Sequence, residues 1–201
     1  MLKLILSILL LCLFFLPSQA LDSTSIGKSI TPFTSPMAQG GEFTFSKFPN
    51  AKAFAIVFTC NHCPFAELYT ERMNQFHRTY EPMGIPLIAV NPMDSLIYED
   101  ETLEEMQRKV VRDSIVYPYV QDHSQSIARM FNPTYTPQVF VIQKILGDWN
   151  IVYQGIIDDN GMYPELATSH LKQTADAILQ NKPIPRPYIA SFGCKIIFRS
   201  P

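Results

Sequence analysis

A run of apolar residues that leads directly into a pair of cysteines is the feature that most constrains the fold. Residues 53–58 are all apolar, as expected for a strand that is buried on both faces of a sheet. A Cys-x-x-Cys-Pro motif, Cys60 to Pro64, follows, and apolar side chains then recur at helical spacing from Phe65 to Tyr80. Because proline is tolerated only in the first turn of a helix, we predict a helix that begins at or near Cys60. The two cysteines should therefore lie at a strand-to-helix junction.

The rest of the chain alternates between strand and helix patterns. Strands are predicted at residues 86–90, which should be buried, at 138–142 and at 151–154, and helices at residues 102–112, after residues 122–125 and at 166–179. An alternating stretch at residues 43–45 follows Gly40-Gly41 and predicts a short hairpin. The order of elements indicates an α/β fold, with a central mixed sheet of about four to five strands flanked by helices and an N-terminal hairpin extension.

The first residues have the pattern of a secretory signal. Lys3 precedes an apolar stretch at residues 4–16, and the small residues Ser18 and Ala20 predict cleavage after Ala20. The alternative is an uncleaved membrane anchor, although the stretch is short for a bilayer. We therefore expect a signal peptide at residues 1–20, one domain at residues 21–182, a Pro-rich tail at residues 183–201 and a periplasmic or other extracytoplasmic location.

Charge and cysteine content restrict the partners. The formal net charge is −2 and no basic run follows the signal, which argues against nucleic acid as a ligand. After signal cleavage we expect no membrane association and a monomer. Export would place the remaining cysteines in an oxidising compartment, where disulfides persist.

The placement of the cysteine pair predicts redox chemistry. Backbone N–H groups at a helix N-terminus stabilise a thiolate, so Cys60 is the predicted nucleophile, and an imidazolium at His62 would favour the same form. Cys63 should be more buried and should resolve mixed disulfides. A structural Cys60–Cys63 disulfide is an alternative, but it would close too small a loop to stabilise the fold much. A zinc site would need two further ligands that the spacing does not supply. Neither a metal nor an organic cofactor is expected, because the dithiol itself carries the electrons.

Residues 58–65, together with Thr136-Pro137 before a strand, resemble the thioredoxin superfamily, in particular its exported TlpA-like and AhpC/TSA-like redoxins. Further matches are found at Pro118-Tyr119 with Asp122 and Gln125, at residues 153–155 with Asp158-Asp159, and at Gly193-Cys194. The resemblance implies a thioredoxin-like fold in which Pro137 is cis and faces the cysteines. The Thr136 backbone would then pair with an extended substrate segment, and Asn61 and Pro64 would complete the substrate site. An ordinary trans proline that opens an edge strand is the alternative.

The chain also departs from the thioredoxin pattern. Phe54 stands where thioredoxins carry a buried aspartate, so a general base must come from elsewhere. Glu67 is the candidate if burial raises its pKa, and a solvated glutamate on the helix surface is the alternative. Cys194 is either a buried small apolar residue or a third redox thiol. Asp158-Asp159 lacks the other ligands of a calcium loop and is interpreted as part of a turn.

These observations predict an exported thiol–disulfide oxidoreductase that exchanges disulfides with protein substrates and with an upstream redox partner. One alternative is a thiol peroxidase, but Val57 and Ala53 replace the threonine and proline that peroxiredoxins place before their reactive cysteine. Another is a binding module with the same fold and no catalysis. Such a module would keep its function without either cysteine of the pair.

Overall fold

Residues 24–200 are the part of the chain that the computed structural model describes, so the predicted signal peptide, residues 1–20, lies outside the described residues. The strands are β1 (Ser29–Ile30), β2 (Thr34–Pro36), β3 (Glu42–Thr44), β4 (Ala53–Phe58), β5 (Leu87–Asn91), β6 (Tyr119–Gln121), β7 (Tyr135–Thr136), β8 (Gln138–Ile145), β9 (Asp148–Gly155) and β10 (Cys194–Lys195). The α-helices are α1 (Pro64–Glu67), α2 (Thr70–Tyr80), α3 (Leu103–Arg112), α4 (Ser126–Phe131) and α5 (His170–Leu179).

The central sheet has six strands in the order β1-β9-β8-β4-β5-β6. Strands β4, β5 and β6 run parallel, whereas β8 runs antiparallel to both β4 and β9. In the β4–β8 ladder Phe58 lies opposite Gln138. The chain that leaves β4 towards Cys60 therefore meets the chain that enters β8 from Pro137, and this register positions the site.

The sheet is covered on both faces, as the continuous apolar run predicts. Alternate residues of β4 enter different clusters: Ala53, Ala55 and Val57 pack with α2, α3 and α5, whereas Phe54, Ile56 and Phe58 pack with α4 and the N-terminal segment. All six side chains are fully buried. A strand in this position has no polar face, which explains the absence of alternation in its sequence.

The N-terminal hairpin is present where the sequence predicts it. Strands β2 and β3 pair antiparallel, with Ser35 opposite Phe43. Phe43 is fully buried and belongs to an aromatic cluster with Phe33, Phe45 and Phe54. The hairpin thus closes one face of the sheet rather than extending into solvent.

The predicted thioredoxin-like α/β fold is confirmed, with local differences. The sheet has six strands instead of four or five, because the short β1 and β6 add one edge each. The helix after the cysteines begins at Pro64, not near Cys60, and it is interrupted between Glu67 and Thr70. Cys63 is the N-cap and has extended backbone angles (φ −77°, ψ 115°), so residues 60–63 precede the helix.

The Pro-rich segment that the sequence predicts as a tail packs against the domain. The backbone of Tyr188 forms an isolated parallel β-bridge with Gln154. The chain then continues to β10, which pairs antiparallel with β7. Ile196 is buried in the same cluster as both cysteines of the motif. Within residues 24–200, no helix has the length and apolar character needed to cross a membrane.

Candidate redox site

The motif cysteines lie at the end of β4, and neither sulfur is exposed. Cys60 and Cys63 are both fully buried, so Cys63 is not the more buried of the two, although the sequence predicts that it is. The Pro64 ring lacks an N–H and opens α1 at its first position, as the sequence predicts. Because the helix begins only there, Cys60 lies outside the first turn.

The three described cysteines are not paired as a Cys-x-x-Cys disulfide. Cys63 is joined to Cys194, with the two Cα atoms 6.1 Å apart, and Cys60 is a free thiol. The partner of Cys63 comes from β10, 131 residues further along the chain. Of the alternatives for Cys194, the structure therefore places it in contact with the redox motif rather than as an isolated apolar residue.

The Thr136–Pro137 peptide is cis, as the resemblance implies. Thr136 contacts both motif cysteines: its Oγ1 lies 3.2 Å from the Cys60 sulfur, and its carbonyl oxygen lies 3.3 Å from the Cys63 sulfur. Thr136 is itself fully buried, since β10 occupies the backbone edge that the sequence analysis assigns to a substrate. One residue thus contacts the free thiol, the disulfide and the edge-pairing strand.

A buried carboxylate that the sequence analysis did not identify lies beside Cys60. Glu101 is fully buried, and its oxygens accept the backbone N–H groups of Asn61 and His62, each at 3.0 Å. The His62 imidazole donates a short hydrogen bond from Nδ1, and Asn91 donates from Nδ2 at 2.5 Å. Tyr98 stacks on the imidazole with the ring centroids 4.6 Å apart, which holds it in this orientation.

This network reverses the electrostatics expected for Cys60. Burial, followed by the negative charge of Glu101, raises the pKa of the Cys60 thiol from 9.0 to about 12. The N–H groups of Asn61 and His62 point at Glu101 rather than at Cys60, and the hydrogen bonds of Cys60 with Thr136 and with the Cys63 backbone offset the rise only in part. In this state Cys60 is held as a neutral thiol, contrary to the thiolate that the motif predicts.

The other predicted site residues lie around this centre with different environments. Asn61 is half-buried, and its side chain accepts from Tyr119 Oη at 2.8 Å and donates to the Asp100 carbonyl at 2.6 Å. Glu67 is exposed and lies 3.5 Å from Arg112. The burial on which a general-base role for Glu67 depends is therefore absent.

Glu101 had no local signal in the sequence. It ends an acidic stretch, Glu99-Asp100-Glu101, directly before the Thr102 N-cap, where acidic residues are common for purely local reasons. Nothing in that pattern separates a buried acid from two exposed neighbours. The contact with residues 61 and 62 is long-range and becomes visible only in the fold.

Three residues of this centre carry atoms of the kinds that bind metal ions. The sulfur of Cys60, a ring nitrogen of His62 and a carboxylate oxygen of Glu101 all lie within 4.8 Å of one another. Although these are zinc ligand types, the oxygens of Glu101 already accept hydrogen bonds from the backbone, the imidazole and Asn91, and a cation would have to displace those donors. The group fits a hydrogen-bond network around a thiol better than a metal site.

A family model described as the AhpC/TSA family matches residues 26–146, and the match contains Cys60, Cys63 and the cis proline. The chain belongs to the AhpC/TSA family. Thioredoxin-like redoxins of this kind are generally oxidoreductases or peroxidases that act through thiols and disulfides. The matched part of this family member ends before Cys194, so the third cysteine lies outside it.

Solved structures resemble this AhpC/TSA family member over most of its length. A hypothetical protein from Sinorhizobium meliloti 1021 is 30% identical with a TM-score of 0.78, covering 87% of this chain and 95% of the other. An uncharacterized conserved protein from Geobacillus kaustophilus is 25% identical with a TM-score of 0.79, covering 89% and 94%. A putative thiol:disulfide interchange protein DsbE from Chlorobium tepidum shares the fold at 18% identity and a TM-score of 0.60, covering 78% and 99%. No curated protein matches the chain.

Proposed function

We propose that the protein is an exported thiol–disulfide oxidoreductase that exchanges disulfides with protein substrates through Cys60 and Cys63. The observation that carries this proposal is the contact of one free and one disulfide-bonded motif cysteine with the same residue, Thr136, next to the cis Pro137. A thiol and a disulfide in this arrangement have the groups needed for exchange without a metal or an organic cofactor.

In the reductive direction, the Cys60 thiolate attacks a client disulfide. One client sulfur leaves with the electron pair of the broken bond, and the other stays bound to Cys60. Cys63, in its thiol form, then attacks the Cys60 sulfur, which releases the second client thiol and leaves a Cys60–Cys63 disulfide. The reverse sequence oxidises a client dithiol, so both directions balance in electrons and protons.

The proposed extracytoplasmic location is supported by the predicted signal at residues 1–20 and by the Cys63–Cys194 disulfide, since disulfides persist mainly in oxidising compartments. Mass spectrometry of the protein recovered from its native host should give a mature N-terminus at Leu21. Recovery of the uncleaved chain in the membrane fraction would instead identify residues 4–16 as an anchor.

Covalent trapping tests the function most directly. A Cys63→Ser/Cys194→Ser chain keeps Cys60 but cannot resolve a mixed disulfide at that sulfur. We expect it to accumulate client proteins that a reductant releases, and the matched chain that also carries Cys60→Ser should trap none. Absence of trapped clients under both oxidising and reducing conditions would overturn the proposal.

The same variants separate the alternatives. Peroxide consumption by the wild-type chain, lost in Cys60→Ser, would favour a peroxidase. The burial and raised pKa of Cys60 in this state oppose attack on peroxide and on a client disulfide alike, so the assay decides between the two functions. Full cellular function of a Cys60→Ser/Cys63→Ser chain would identify a binding module.

A further inference from the structure

We propose that Cys194 is a third redox-active cysteine, which takes over the disulfide from the Cys60–Cys63 pair and thereby closes the C-terminal strand over the site. The proposal rests on the proposed function and deepens it, because it assigns a third reacting sulfur and a gate to the same site. We call residues 188–199 the closing segment.

The closing segment occupies the docking edge as an extended ligand would. Cys194 lies opposite Thr136 in the antiparallel β10–β7 pair, and the Ile196 N–H donates to the Thr134 carbonyl at 2.9 Å. Gly193 has a φ of +143°, and a Cβ atom there would lie 2.1 Å from the Thr136 carbonyl oxygen. The segment thus approaches the backbone beside the cis proline more closely than any residue with a side chain could.

Two side chains of the closing segment pack beside the site. Phe192 contacts Phe65 edge-to-face with the ring centroids 6.1 Å apart, and it lines a small pocket of about 10 Å³ together with Tyr69 and Pro137. Ile196 is buried in the cluster that contains Cys60. A client polypeptide cannot pair with Thr136 while this segment is in place, so the observed disulfide state is a closed state.

The far end of the segment is held by polar contacts. Arg199 makes two hydrogen bonds of 2.6 Å to the carboxylate of Asp94, and its backbone N–H donates to Gln125 Oε1 at 2.8 Å. The Arg199 side chain remains 30% exposed. The segment is thus held by the packing of Ile196 and by partly exposed polar contacts, and we expect it to leave when its covalent link to Cys63 is broken.

The transfer step is a balanced exchange. Once the oxidoreductase cycle has left a Cys60–Cys63 disulfide, the Cys194 thiolate attacks the Cys63 sulfur. A Cys63–Cys194 bond forms, the Cys60–Cys63 bond breaks, and Cys60 takes the electron pair and a proton. No external oxidant or reductant is consumed, and the products are those in the structure: a free Cys60 thiol and a Cys63–Cys194 disulfide.

The surroundings of Cys60 favour these products. Burial and the charge of Glu101 raise the pKa of Cys60, so its proton is retained and attack back on Cys63 is disfavoured. The carboxylate that the sequence analysis missed therefore opposes the return of the disulfide to the motif pair.

Time-resolved disulfide mapping tests the transfer. The fully reduced chain is mixed with one equivalent of oxidised glutathione, quenched in acid at intervals, and its disulfide-linked peptides are measured by mass spectrometry. We expect Cys60–Cys63 to form first and then to convert to Cys63–Cys194. A population that remains Cys60–Cys63, or formation of Cys63–Cys194 at an unchanged rate in the Cys60→Ser chain, would overturn the proposal.

A second experiment does not depend on removing a cysteine. Arg199→Gln loosens the end of the closing segment, and Arg108→Gln is the matched control because Arg108 pairs with Glu104 on the exposed surface of α3. With the Cys63–Cys194 disulfide intact, iodoacetamide should modify Cys60 at least threefold faster in Arg199→Gln than in the wild type, and at an unchanged rate in the control. Equal rates in all three chains would show that the segment does not gate the thiol.

Failure of this inference is distinguishable from failure of the proposed function. If Cys194→Ser exchanges disulfides with clients as the wild type does while Cys60→Ser does not, the oxidoreductase stands and the third cysteine is only structural. If Cys63→Ser/Cys194→Ser traps no clients, the proposed function itself fails.

Discussion

Two buried carboxylates, Glu101 and Asp158, are stabilised by different kinds of partner. Asp158 accepts two hydrogen bonds from one guanidinium nitrogen of Arg72, at 2.8 and 2.7 Å. Arg72 also donates to the Asn160 and Gly161 carbonyls and lies over the Tyr69 ring, so the residues interpreted from sequence as a turn form a closed ion-pair network. Glu101 is held by amide and imidazole N–H groups instead.

The two carboxylates differ in whether a nearby cation compensates their negative charge. The permanent cation of Arg72 compensates Asp158 locally. Within residues 24–200, the donors to Glu101 include no arginine or lysine, and the charge of Glu101 acts on the thiol of Cys60. A fully paired buried charge serves the fold, while a hydrogen-bonded charge without a permanent cation alters the chemistry of its neighbours.

The largest expected effect concerns the paired carboxylate. Arg72→Met would leave Asp158 buried without its cation, and the free energy of unfolding should fall by about 3 kcal/mol in urea denaturation. The matched control on the same helix is Arg78→Gln, whose pair with Glu71 is exposed and 3.5 Å long, and it should lose less than about 1 kcal/mol. Similar losses in the two variants would show that the buried pair of Arg72 with Asp158 stabilises the fold no more than an exposed pair does.

The pH dependence of the reactivity of Cys60 tests whether the pKa of its thiol is raised. With the Cys63–Cys194 disulfide intact, the rate of iodoacetamide modification of Cys60 should keep rising between pH 9 and about pH 11, roughly tenfold per unit, because the folded pKa is about 12. The urea-unfolded chain, as the control, should level off near its ordinary pKa of 9.0. A plateau near pH 9 in the folded chain would contradict the raised pKa.

The raised pKa of Cys60 also makes the free energy of unfolding depend on pH. The folded-state pKa of Cys60 lies above the unfolded value, so its contribution to stability is fully present below pH 9.0 and is lost as the pH rises towards about 12.

The charge of Glu101 is tested by Glu101→Gln, which keeps an acceptor oxygen and removes the charge. Modification of Cys60 at pH 8 should become roughly tenfold faster, which corresponds to a pKa lowered by about one unit. Glu104→Gln changes an exposed acid on α3 and should leave the rate unchanged. A rate in Glu101→Gln equal to or below that of the wild type would show that burial alone sets the pKa.

The smallest effect is expected at the acid that the sequence favoured. Glu67 is exposed beside Arg112, so Glu67→Gln should change the rate of disulfide exchange with a client less than about twofold. A tenfold loss in the client-reduction assay would restore its role as a general base.

Local patterns predicted the elements that are specified by near neighbours. Residues 53–58 form β4 with the predicted bounds, and the helix predicted over residues 102–112 begins at the Thr102 N-cap, whose hydroxyl accepts from the Glu105 N–H at 3.3 Å. The segment at Cys194 was predicted only as a tail, because β10 has two residues and exists through its pairing with β7. Short edge pairs of this kind have too little local sequence to be recognised.

Local sequence specifies an apolar strand that is buried on both faces and ends in a cysteine motif, a proline that opens the following helix, and a second proline before β8. These follow from steric and hydrophobic preferences within a few residues of each position. The disulfide pairing, and the protonation state of the Cys60 thiol, depend on tertiary structure. Cys194 reaches Cys63 across 131 residues, and Glu101 accepts the N–H of Asn61 across 40. Distances and charges of this range arise only when the sheet brings distant segments together, so no local pattern encodes them.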